Sequence, residues 1–221
     1  MRLVADTWPP FTDASLPNGG LATDLVTTAL NRAGYGSTFV QVPWARALHG
    51  LGEGTYDILI NAWYNDERTR IGQFSSEYLL NRVLFLKLKN APVAYAQLSD
   101  LYPYKVAVIR SYAYAPVFDD DASLNKVQVS NFPIAVRMLA AGRVDLAVED
   151  EFVARYFLEQ EPEQTRENIE FLPKPLSENR LRILISLKNP DHALIAAAFD
   201  KAINAMRADG SYAAIFKAHG M

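Results

Sequence analysis

Cysteine is absent from the 221-residue sequence, and histidine occurs only three times. The lack of cysteine excludes disulfides, zinc sites built on thiolates and thiol nucleophiles. The three histidines, His49, His192 and His219, lie too far apart in the sequence to form a local metal-binding motif. We therefore expect neither a metal nor a cofactor.

Long apolar runs and an excess of positive charge are missing as well. No segment reaches the roughly 18 uninterrupted apolar residues of a membrane span, and the composition, with 50% hydrophobic and 21% charged residues, is that of a soluble globular protein. The net charge of -3 offers no basic surface for phosphates, so we expect a small-molecule ligand and no nucleic acid. No signal-peptide pattern precedes "RLVADTW", which leaves two alternatives open: a cytoplasmic protein, or a secreted one in which Met1 replaces a removed leader.

Strand and helix patterns alternate along the chain, which predicts an α/β fold with mostly parallel sheets and crossover helices. The first series is a strand at 2–6, a helix at about 22–33, a strand at 37–42, a helix from Pro43 at its first position to about residue 51, and a strand at 56–63. The second series has strands at 82–89, 104–110, 127–130, 144–150 and about 180–188, with helices at 131–142 and 151–160. Two helices, separated at Asp209-Gly210, close the chain.

An internal echo indicates that two lobes are built alike. "LGEGTYD" at 51–57 and "LAAGRVD" at 139–145 share the pattern Leu-x-x-Gly-x-x-Asp between a helix and an apolar strand, through either duplication or convergence. The echo aligns residues 61–64 with 149–152. Ligands of open parallel sheets bind outside the carboxyl ends of the strands, so we expect both stretches to face a ligand crevice.

The motifs that carry a family resemblance span almost the whole chain. They are "TWPPF", "GGLATDLVTTALNRAG", "PWARALHGLGEGTYDILINAW", "NDERTRIGQFSSEY", "GRVDLAVEDEFVARY" and "MRADGSYAAIFKAHG". In this order they resemble the periplasmic solute-binding proteins of the amino-acid-binding type, solute-binding protein family 3. The resemblance implies a two-lobe type II periplasmic binding fold: residues 1–85 plus 188–221 form lobe 1, residues 86–187 form lobe 2, and hinge strands lie at about 82–89 and 181–188.

The resemblance assigns Arg68 to the ligand's α-carboxylate. Family members carry Thr-x-x-Arg at this place, whereas this chain has "NDER", with Asn65 replacing the threonine. A guanidinium is a planar fork of donors that matches a carboxylate. The alternative is a surface arginine paired with Asp66 or Glu67. Arg70, by contrast, is expected to be solvated.

Asp150 is the residue that the resemblance assigns to the ligand's α-ammonium. It lies in "VDLAVEDEF" between Glu149 and Glu151, which cannot both share its direction while the strand persists. The alternative is an acidic helix N-terminus, where carboxylates favour the helix dipole. Both roles can hold together.

The remaining candidates line the ligand pocket by the same resemblance. Trp8 is expected to stack on the ligand side chain, Trp44 and Trp63 follow neighbouring strands, and Asn61 can hydrogen-bond the ligand. The alternative for the tryptophans is packing in the core. In lobe 2, Ser111 and Tyr112 occupy a turn where the family commonly has Gly-Ser or Gly-Thr, so a bulky Tyr112 narrows or lines the pocket.

These expectations amount to a monomeric, non-enzymatic periplasmic protein that captures an amino acid or a related zwitterion or carboxylate and delivers it to the membrane permease of an ABC importer. A sensor input module is one alternative. A dehydratase that uses one of the carboxylic acids at 149–151 as a general acid is another, although no hydrolase, zinc-protease or P-loop motif occurs.

Overall fold

A computed structural model describes residues 1–110 and 112–221. The chain forms two compact units. Unit 1 comprises Met1–Leu80 and Arg180–Met221, and unit 2 comprises Asn81–Asn179. The part of the chain that the model describes contains no helix that combines the length and the apolar composition needed to cross a membrane.

The elements follow one another in the alternating order of an α/β protein. The strands are β1 (Arg2–Ala5), β2 (Thr38–Gln41), β3 (Ile58–Trp63), β4 (Gly72–Phe74), β5 (Leu79–Leu88), β6 (Lys105–Ile109), β7 (Asn125–Val129), β8 (Leu146–Asp150), β9 (Ile169–Phe171) and β10 (Ser177–Ser186). The α-helices are α1 (Leu21–Arg32), α2 (Trp44–Gly52), α3 (Pro116–Asp119), α4 (Phe132–Ala140), α5 (Glu151–Leu158), α6 (Glu163–Glu167), α7 (His192–Ala208) and α8 (Ser211–Ala218). Short 3-10 helices span Pro17–Gly19, Asp66–Arg70 and Leu98–Leu101.

Unit 1 has a mixed sheet with strand order β2-β1-β3-β10. β1 pairs in parallel with β2 and β3, while β10 runs antiparallel to β3 and β4. The parallel strands read as near-continuous apolar runs because the sheet is covered by helices; Leu3, Val4 and Ile58–Ile60 are all fully buried. The carboxyl ends of β1, β2 and β3 therefore lie at one edge of this sheet.

Unit 2 repeats the arrangement with strand order β9-β5-β8-β6-β7. β6 pairs in parallel with β7 and β8, and β5 runs antiparallel to β8 and β9. Two apolar clusters flank the sheet, one centred on Phe85 and Phe118 and the other on Phe132 and Leu139. Here the carboxyl ends of β6 and β8 share an edge.

Element boundaries differ from the sequence prediction in small ways. Pro43 is the residue before α2, with φ -55° and ψ 143°, and not the first helical residue. Proline can occupy the residue before the helix as well as the first helical position, because it has no N–H group that would be left without a hydrogen bond in either place. The three-residue strands β4 and β9 were not predicted, since so short a segment shows no periodicity.

One glycine fixes how the first helix begins. Gly20 precedes α1 at φ 96°, and a Cβ there would lie 2.7 Å from the carbonyl oxygens of Pro10 and Phe11. Those two carbonyls accept hydrogen bonds from the first N–H groups of α1, Leu21 and Ala22. The loop after β1 is thereby fastened to the helix, and this holds Trp8 beside the end of β1.

Candidate functional site

The predicted site residues lie at the carboxyl ends of parallel strands in both units. In unit 1 we call the set the unit 1 surface; it comprises the predicted residues Trp8, Trp44, Asn61, Trp63 and Arg68 and, in addition, Asp6, which was not predicted. In unit 2 they form a second set, the unit 2 surface, comprising Tyr112, Glu149 and Asp150. Ser111, which was also predicted, lies outside the described residues.

Arg68 is positioned by a capped turn after β3. Asn65 precedes the 3-10 helix Asp66–Arg70, and its side-chain oxygen accepts a hydrogen bond from Glu67 N at 2.8 Å. The Arg68 guanidinium donates to the Trp63 carbonyl at 2.7 Å and lies over the Trp44 ring, 5.0 Å from its centroid. Backbone and aromatic ring together hold the guanidinium in a defined place.

No carboxylate of the described residues forms an ion pair with Arg68. Asp66, one of its predicted alternative partners, instead accepts from the Tyr64 hydroxyl at 2.9 Å. Arg68 is half-buried, and this burial lowers the pKa of its guanidinium from the ordinary value. A half-buried guanidinium that has no carboxylate partner in the described residues can accept an anion as its counterion.

The three tryptophans of unit 1 are half-buried. Trp44 packs against the apolar cluster that contains Val4 and Leu59, so the predicted alternative of core packing holds for part of this ring. Trp8 packs its ring against Phe11, with 4.3 Å between centroids, and meets Trp63 edge-on at 5.9 Å. The indole nitrogen of Trp8 is shielded from solvent and has no hydrogen-bond partner among the described residues. Trp8, Phe11 and Trp63 thus form one aromatic cluster, while the ring that lies against Arg68 is that of Trp44.

Asp6 belongs to the unit 1 surface although it was not predicted. It follows β1 directly, and its Oδ1 accepts a hydrogen bond from Asn61 Nδ2 at 2.9 Å. Asn61 is 94% buried, since its exposed fraction is 6%, and its own Oδ1 has no partner in the described residues. The rule that led to the other residues, that ligands lie at carboxyl ends of strands, would also have found an acidic residue directly after the first strand.

Asp150 ends β8 and caps α5. Its Oδ1 accepts from Phe152 N at 2.9 Å and from Val153 N at 3.1 Å, while its Oδ2 accepts from Asn81 Nδ2 at 3.0 Å. The alternative considered from the sequence, an acidic helix N-terminus, is therefore realised. A carboxylate oxygen can accept two hydrogen bonds, so Oδ2 retains acceptor capacity.

The two carboxyls at the end of β8 are unusually hard to ionise. Burial raises the pKa of Asp150 to about 6, although the hydrogen bonds from the start of α5 and from Asn81 lower it. Burial likewise raises the pKa of Glu149 to about 8, and its Oε1 accepts from Asp150 N at 2.8 Å. An approaching cation would favour the charged form of either group.

Glu151 differs from its two neighbours because it is fully paired. Arg82 binds it through Nε at 2.9 Å and through a second nitrogen at 2.5 Å, and Arg155 binds its other oxygen at 2.9 Å. These hydrogen bonds and charges outweigh burial and lower the pKa of Glu151. Glu151 therefore secures the start of α5 to β5 and is not available to a ligand.

Tyr112 follows β6 and is 40% exposed. Its ring centroid lies 5.3 Å from that of Tyr114, whose hydroxyl accepts a hydrogen bond from Ile109 N at 2.8 Å. Because β6 and β8 are parallel, Tyr112 lies at the same edge of the unit 2 sheet as Asp150. Across the described ranges, 1–110 and 112–221, no group of three acidic or histidine side chains could hold a metal ion.

Comparisons with known proteins agree with this architecture. A solved ancestral cationic amino acid solute-binding protein superposes with a TM-score of 0.78 at 22% identity, over 98% of this chain and 93% of that chain. A histidine kinase sensor domain with similarity to periplasmic binding proteins gives 0.67 at 22% identity, over 97% and 93%. A probable histidine-binding protein of Campylobacter jejuni is 24% identical over 97% of this chain and 82% of its own length.

The structural matches establish the two-lobe fold of type II periplasmic binding proteins, as predicted. The model of the bacterial extracellular solute-binding proteins, family 3, matches residues 2–221. The match covers nearly every residue, and the predicted resemblance is confirmed. The chain therefore belongs to the bacterial extracellular solute-binding proteins of family 3.

Proposed function

We propose that this protein binds a cationic amino acid outside the cytoplasm and delivers it to an ABC-type importer. The observation that carries the proposal is Arg68, a half-buried guanidinium that is held by the Trp63 carbonyl and the Trp44 ring and has no carboxylate partner in the described residues. A ligand carboxylate supplies the missing counterion through two parallel hydrogen bonds.

The chemistry of the unit 1 surface supports a cationic side chain on that ligand. Asp6 adds a carboxylate that accepts from Asn61 directly after β1, and Trp8 and Trp63 add two aromatic rings; both a carboxylate and the face of a ring attract a cation. Asn61 Oδ1, which has no partner among the residues that the structure describes, adds a hydrogen-bond acceptor. The names of the relatives, a probable histidine-binding protein and a cationic amino acid binder, point to the same class.

The unit 2 surface supplies the acceptor for the α-ammonium in this proposal. Asp150 keeps capacity on Oδ2 while it caps α5, and the orientation of that oxygen is set by Asn81. Two strands pass from one unit to the other: β5 at Leu80-Asn81 and β10 at Asn179-Arg180. We assign these strands as the hinge, with ligand binding selecting the closed state of a monomer.

A thermal-shift screen followed by calorimetry tests the proposal. The purified protein is titrated with arginine, lysine, histidine, glutamine and glutamate, and with agmatine and histamine, which lack the carboxylate. A ligand at 100 times its dissociation constant adds about 2.7 kcal/mol of stability. We expect binding of the cationic amino acids and none of agmatine or histamine. Equal binding of the amines and their parent amino acids would contradict the role of Arg68.

A sensor module is the second candidate, favoured by the similarity to a histidine kinase sensor domain. Transport and sensing share the same ligand site, so the discriminating readout is uptake. Membrane vesicles that contain the importer should accumulate labelled ligand only when the protein is added. Ligand binding without any stimulation of uptake would favour the sensor.

Catalysis is tested in the same titration by following the bound ligand with NMR. Another structure of the ancestral relative describes it as a precursor of cyclohexadienyl dehydratase, and Glu149 is a buried carboxylic acid. We expect the ligand to be recovered unchanged after prolonged incubation. Formation of a dehydrated product would identify an enzyme instead.

A further inference from the structure

A buried asparagine of β5 reaches the carboxylate at the end of β8. Asn81 is fully buried, and its Nδ2 donates a hydrogen bond to Asp150 Oδ2 at 3.0 Å. The pairing of the two strands explains this contact. Val83 lies opposite Asp150 in the antiparallel register, and Asn81, two residues earlier, points to the same face of the sheet. The register of β5 therefore places an amide donor beside the carboxylate.

Helix capping does not require this contact. Asp150 caps α5 with Oδ1 alone, which accepts from two N–H groups of the first turn. Asn131 caps α4 with its only side-chain oxygen, which accepts from Ile134 N at 3.1 Å. A single oxygen thus suffices for a helix cap in unit 2. The bond from Asn81 is made to the other oxygen of Asp150, which retains capacity for a further donor.

The next residue of β5 binds the next carboxylate along the chain. Arg82 pairs with Glu151, the first residue of α5. Because consecutive residues of a strand point to opposite faces, Asn81 and Arg82 leave β5 in opposite directions. Each binds one residue of the junction between β8 and α5. The carboxylate of Asp150 is thereby fixed from the strand that begins unit 2.

Unit 1 contains the same arrangement. Asn61 of β3 is buried, and its Nδ2 donates to Asp6 Oδ1 at 2.9 Å. Asp6 follows β1, which pairs with β3. In each unit, a buried asparagine on the neighbouring strand binds a carboxylate at the carboxyl end of a strand. The recurrence indicates that the amide serves the carboxylate, since backbone carbonyls would satisfy a buried amide equally well.

The charge state of Asp150 depends on this donor. The titratable and charged groups on the elements around it are a carboxyl of its own strand, an ion-paired carboxyl with two arginines, and a hydroxyl after β6: Glu149, Glu151, Arg82, Arg155 and Tyr114. Both arginines bind Glu151. Burial raises the pKa of Asp150 to about 6, and the hydrogen bond from Asn81 is one of those that lower it. Asn81 therefore favours the charged form, which an ammonium group binds.

We propose that Asn81 is the positioning residue of the ammonium site, so that selection of amino acids over simple carboxylates depends on this asparagine. The inference rests on the proposed function, in which Asp150 receives the α-ammonium group. Asn81 is fully buried and acts through Asp150. Its amide occupies one acceptor position of Oδ2 and leaves the second for the ammonium.

Titration of the Asp150 carboxyl by carbon-13 NMR in the ligand-free protein is the first part of the test. The wild type should titrate near pH 6. Asn81→Leu has a similar size but no donor, and its midpoint should lie at least about 1 pH unit higher, because the ionised form loses a hydrogen bond. Asn131→Ala removes the cap of α4 in the same unit and is the matched control, with an unchanged midpoint expected. Asn81→Ala replaces Asn81→Leu if that variant does not fold.

Calorimetry is the second part, with L-arginine and with δ-guanidinovalerate, which lacks the α-amino group. At about pH 6, Asn81→Leu should bind arginine about fivefold more weakly than the wild type, or worse, because less of Asp150 is ionised. Binding of δ-guanidinovalerate should not change. In the Asp150→Asn background, Asn81→Leu should cause no further loss for arginine, since both substitutions remove the same interaction.

The two parts separate this inference from the proposed function. Failure of arginine to bind the wild type would count against the proposed function, whereas the NMR titration tests Asn81 without any ligand. The proposal is overturned if the midpoint of Asp150 is the same in Asn81→Leu and the wild type. Equal losses for arginine and δ-guanidinovalerate, or additive losses in the double variant, would overturn it as well, because Asn81 would then act on the fold in general.

Discussion

The two surfaces at the strand ends differ in the charge of the groups that they contain and in how those groups are paired. The unit 1 surface holds a cation, Arg68, which the Trp63 carbonyl and the Trp44 ring orient and which has no carboxylate partner in the described part of the chain. The unit 2 surface holds carboxyls, Glu149 and Asp150, in a buried setting that favours their neutral forms. Arg68 thus keeps its charge and has no carboxylate partner in residues 1–110 and 112–221, whereas burial raises the pKa of both unit 2 carboxyls, that of Glu149 more than that of Asp150.

Under the proposed function, this difference assigns the two ends of a zwitterion to different groups. An anchor that is always charged attracts the ligand carboxylate at any pH, because arginine does not deprotonate. A buried carboxyl with a raised pKa, by contrast, gains charge when a cation arrives, since an ammonium group stabilises the ionised form. We therefore expect unit 1 to determine whether a carboxylate ligand binds and unit 2 to respond to its amino group.

Arg68→Ala should cause the largest loss of ligand affinity among the substitutions of the two surfaces. Removal of one partner of a buried charge pair costs about 2 to 5 kcal/mol, so calorimetry should show loss of measurable amino acid binding. Arg68→Lys keeps the charge but loses the planar fork, and should still weaken binding strongly. Arg70→Ala, two residues away and exposed, is the matched control and should bind as the wild type does. Equal affinities of the Arg68 and Arg70 variants would remove Arg68 from the site.

Glu149→Gln should change how stability depends on pH. The pKa of Glu149 is raised from 4.5 to about 8 by burial. A raised pKa means that the folded state holds the proton more tightly, so this stabilisation is present below about pH 4.5 and is lost as the pH rises through about 8. Glutamine has no proton to lose. The variant should therefore exceed the wild type in free energy of unfolding by about 1 to 4 kcal/mol at pH 9, and match it at pH 4.

Urea denaturation of the ligand-free proteins at several pH values measures this effect. Asp150, whose pKa is raised to about 6, contributes a smaller decline of the same sign at lower pH in both proteins. Parallel pH profiles of wild type and Glu149→Gln would show that Glu149 is charged in the folded state, and would contradict the contrast between the two units.

Asp150→Asn should show how much of the binding free energy comes from the ligand's α-ammonium group. Asparagine keeps an oxygen to cap α5, so the helix start is preserved while the negative charge is removed. Hydrogen bonds to charged groups contribute about 1.5 to 3 kcal/mol. Affinity for an amino acid should fall by that amount, and affinity for its analogue without the α-amino group should barely change. A similar loss for both ligands would contradict a contact between Asp150 and the α-ammonium.

Asp6→Asn should reduce selectivity for cationic side chains. Asp6 is half-exposed, so we expect a loss of about 1 to 2 kcal/mol for arginine or histidine and little change for glutamine. Competition calorimetry with the two ligand types gives the ratio directly. An unchanged ratio would assign Asp6 to the support of Asn61 alone.

Much of the fold was predictable because periodicity and turn residues mark the elements. Alternating strands and helices, and the end of β8 at Asp150, follow from apolar runs and the residues that break them. The short strands β4 and β9 could not be predicted, since they form through tertiary pairing with β10 and β5. The start of α2 was placed one residue early because Pro43 suits both positions.

The candidate site could be predicted from the sequence only in part, for a different reason. The assignment of Arg68 and Asp150 came from the family pattern, and remains a prediction about ligand contacts. The sequence could not show that Asn81, 69 residues before Asp150, donates to its carboxylate, because this contact is made by the antiparallel pairing of β5 with β8. Nor could it show that Glu149 is almost fully buried, since burial of a charged residue is a property of the packed sheet.

Substitution of Trp44 gives the smallest expected effect and the finest test of the unit 1 surface. The ring lies 5.0 Å from the Arg68 guanidinium, and a cation–π contact at a half-exposed place contributes about 0.5 to 1 kcal/mol. Trp44→Phe keeps an aromatic face and should weaken amino acid binding less than Trp44→Leu, which keeps only the apolar bulk. Calorimetry of the two variants therefore compares ring electrostatics with packing. If both bind equally well, Arg68 is oriented by the Trp63 carbonyl alone, and the aromatic part of the contrast with unit 2 has no energetic role.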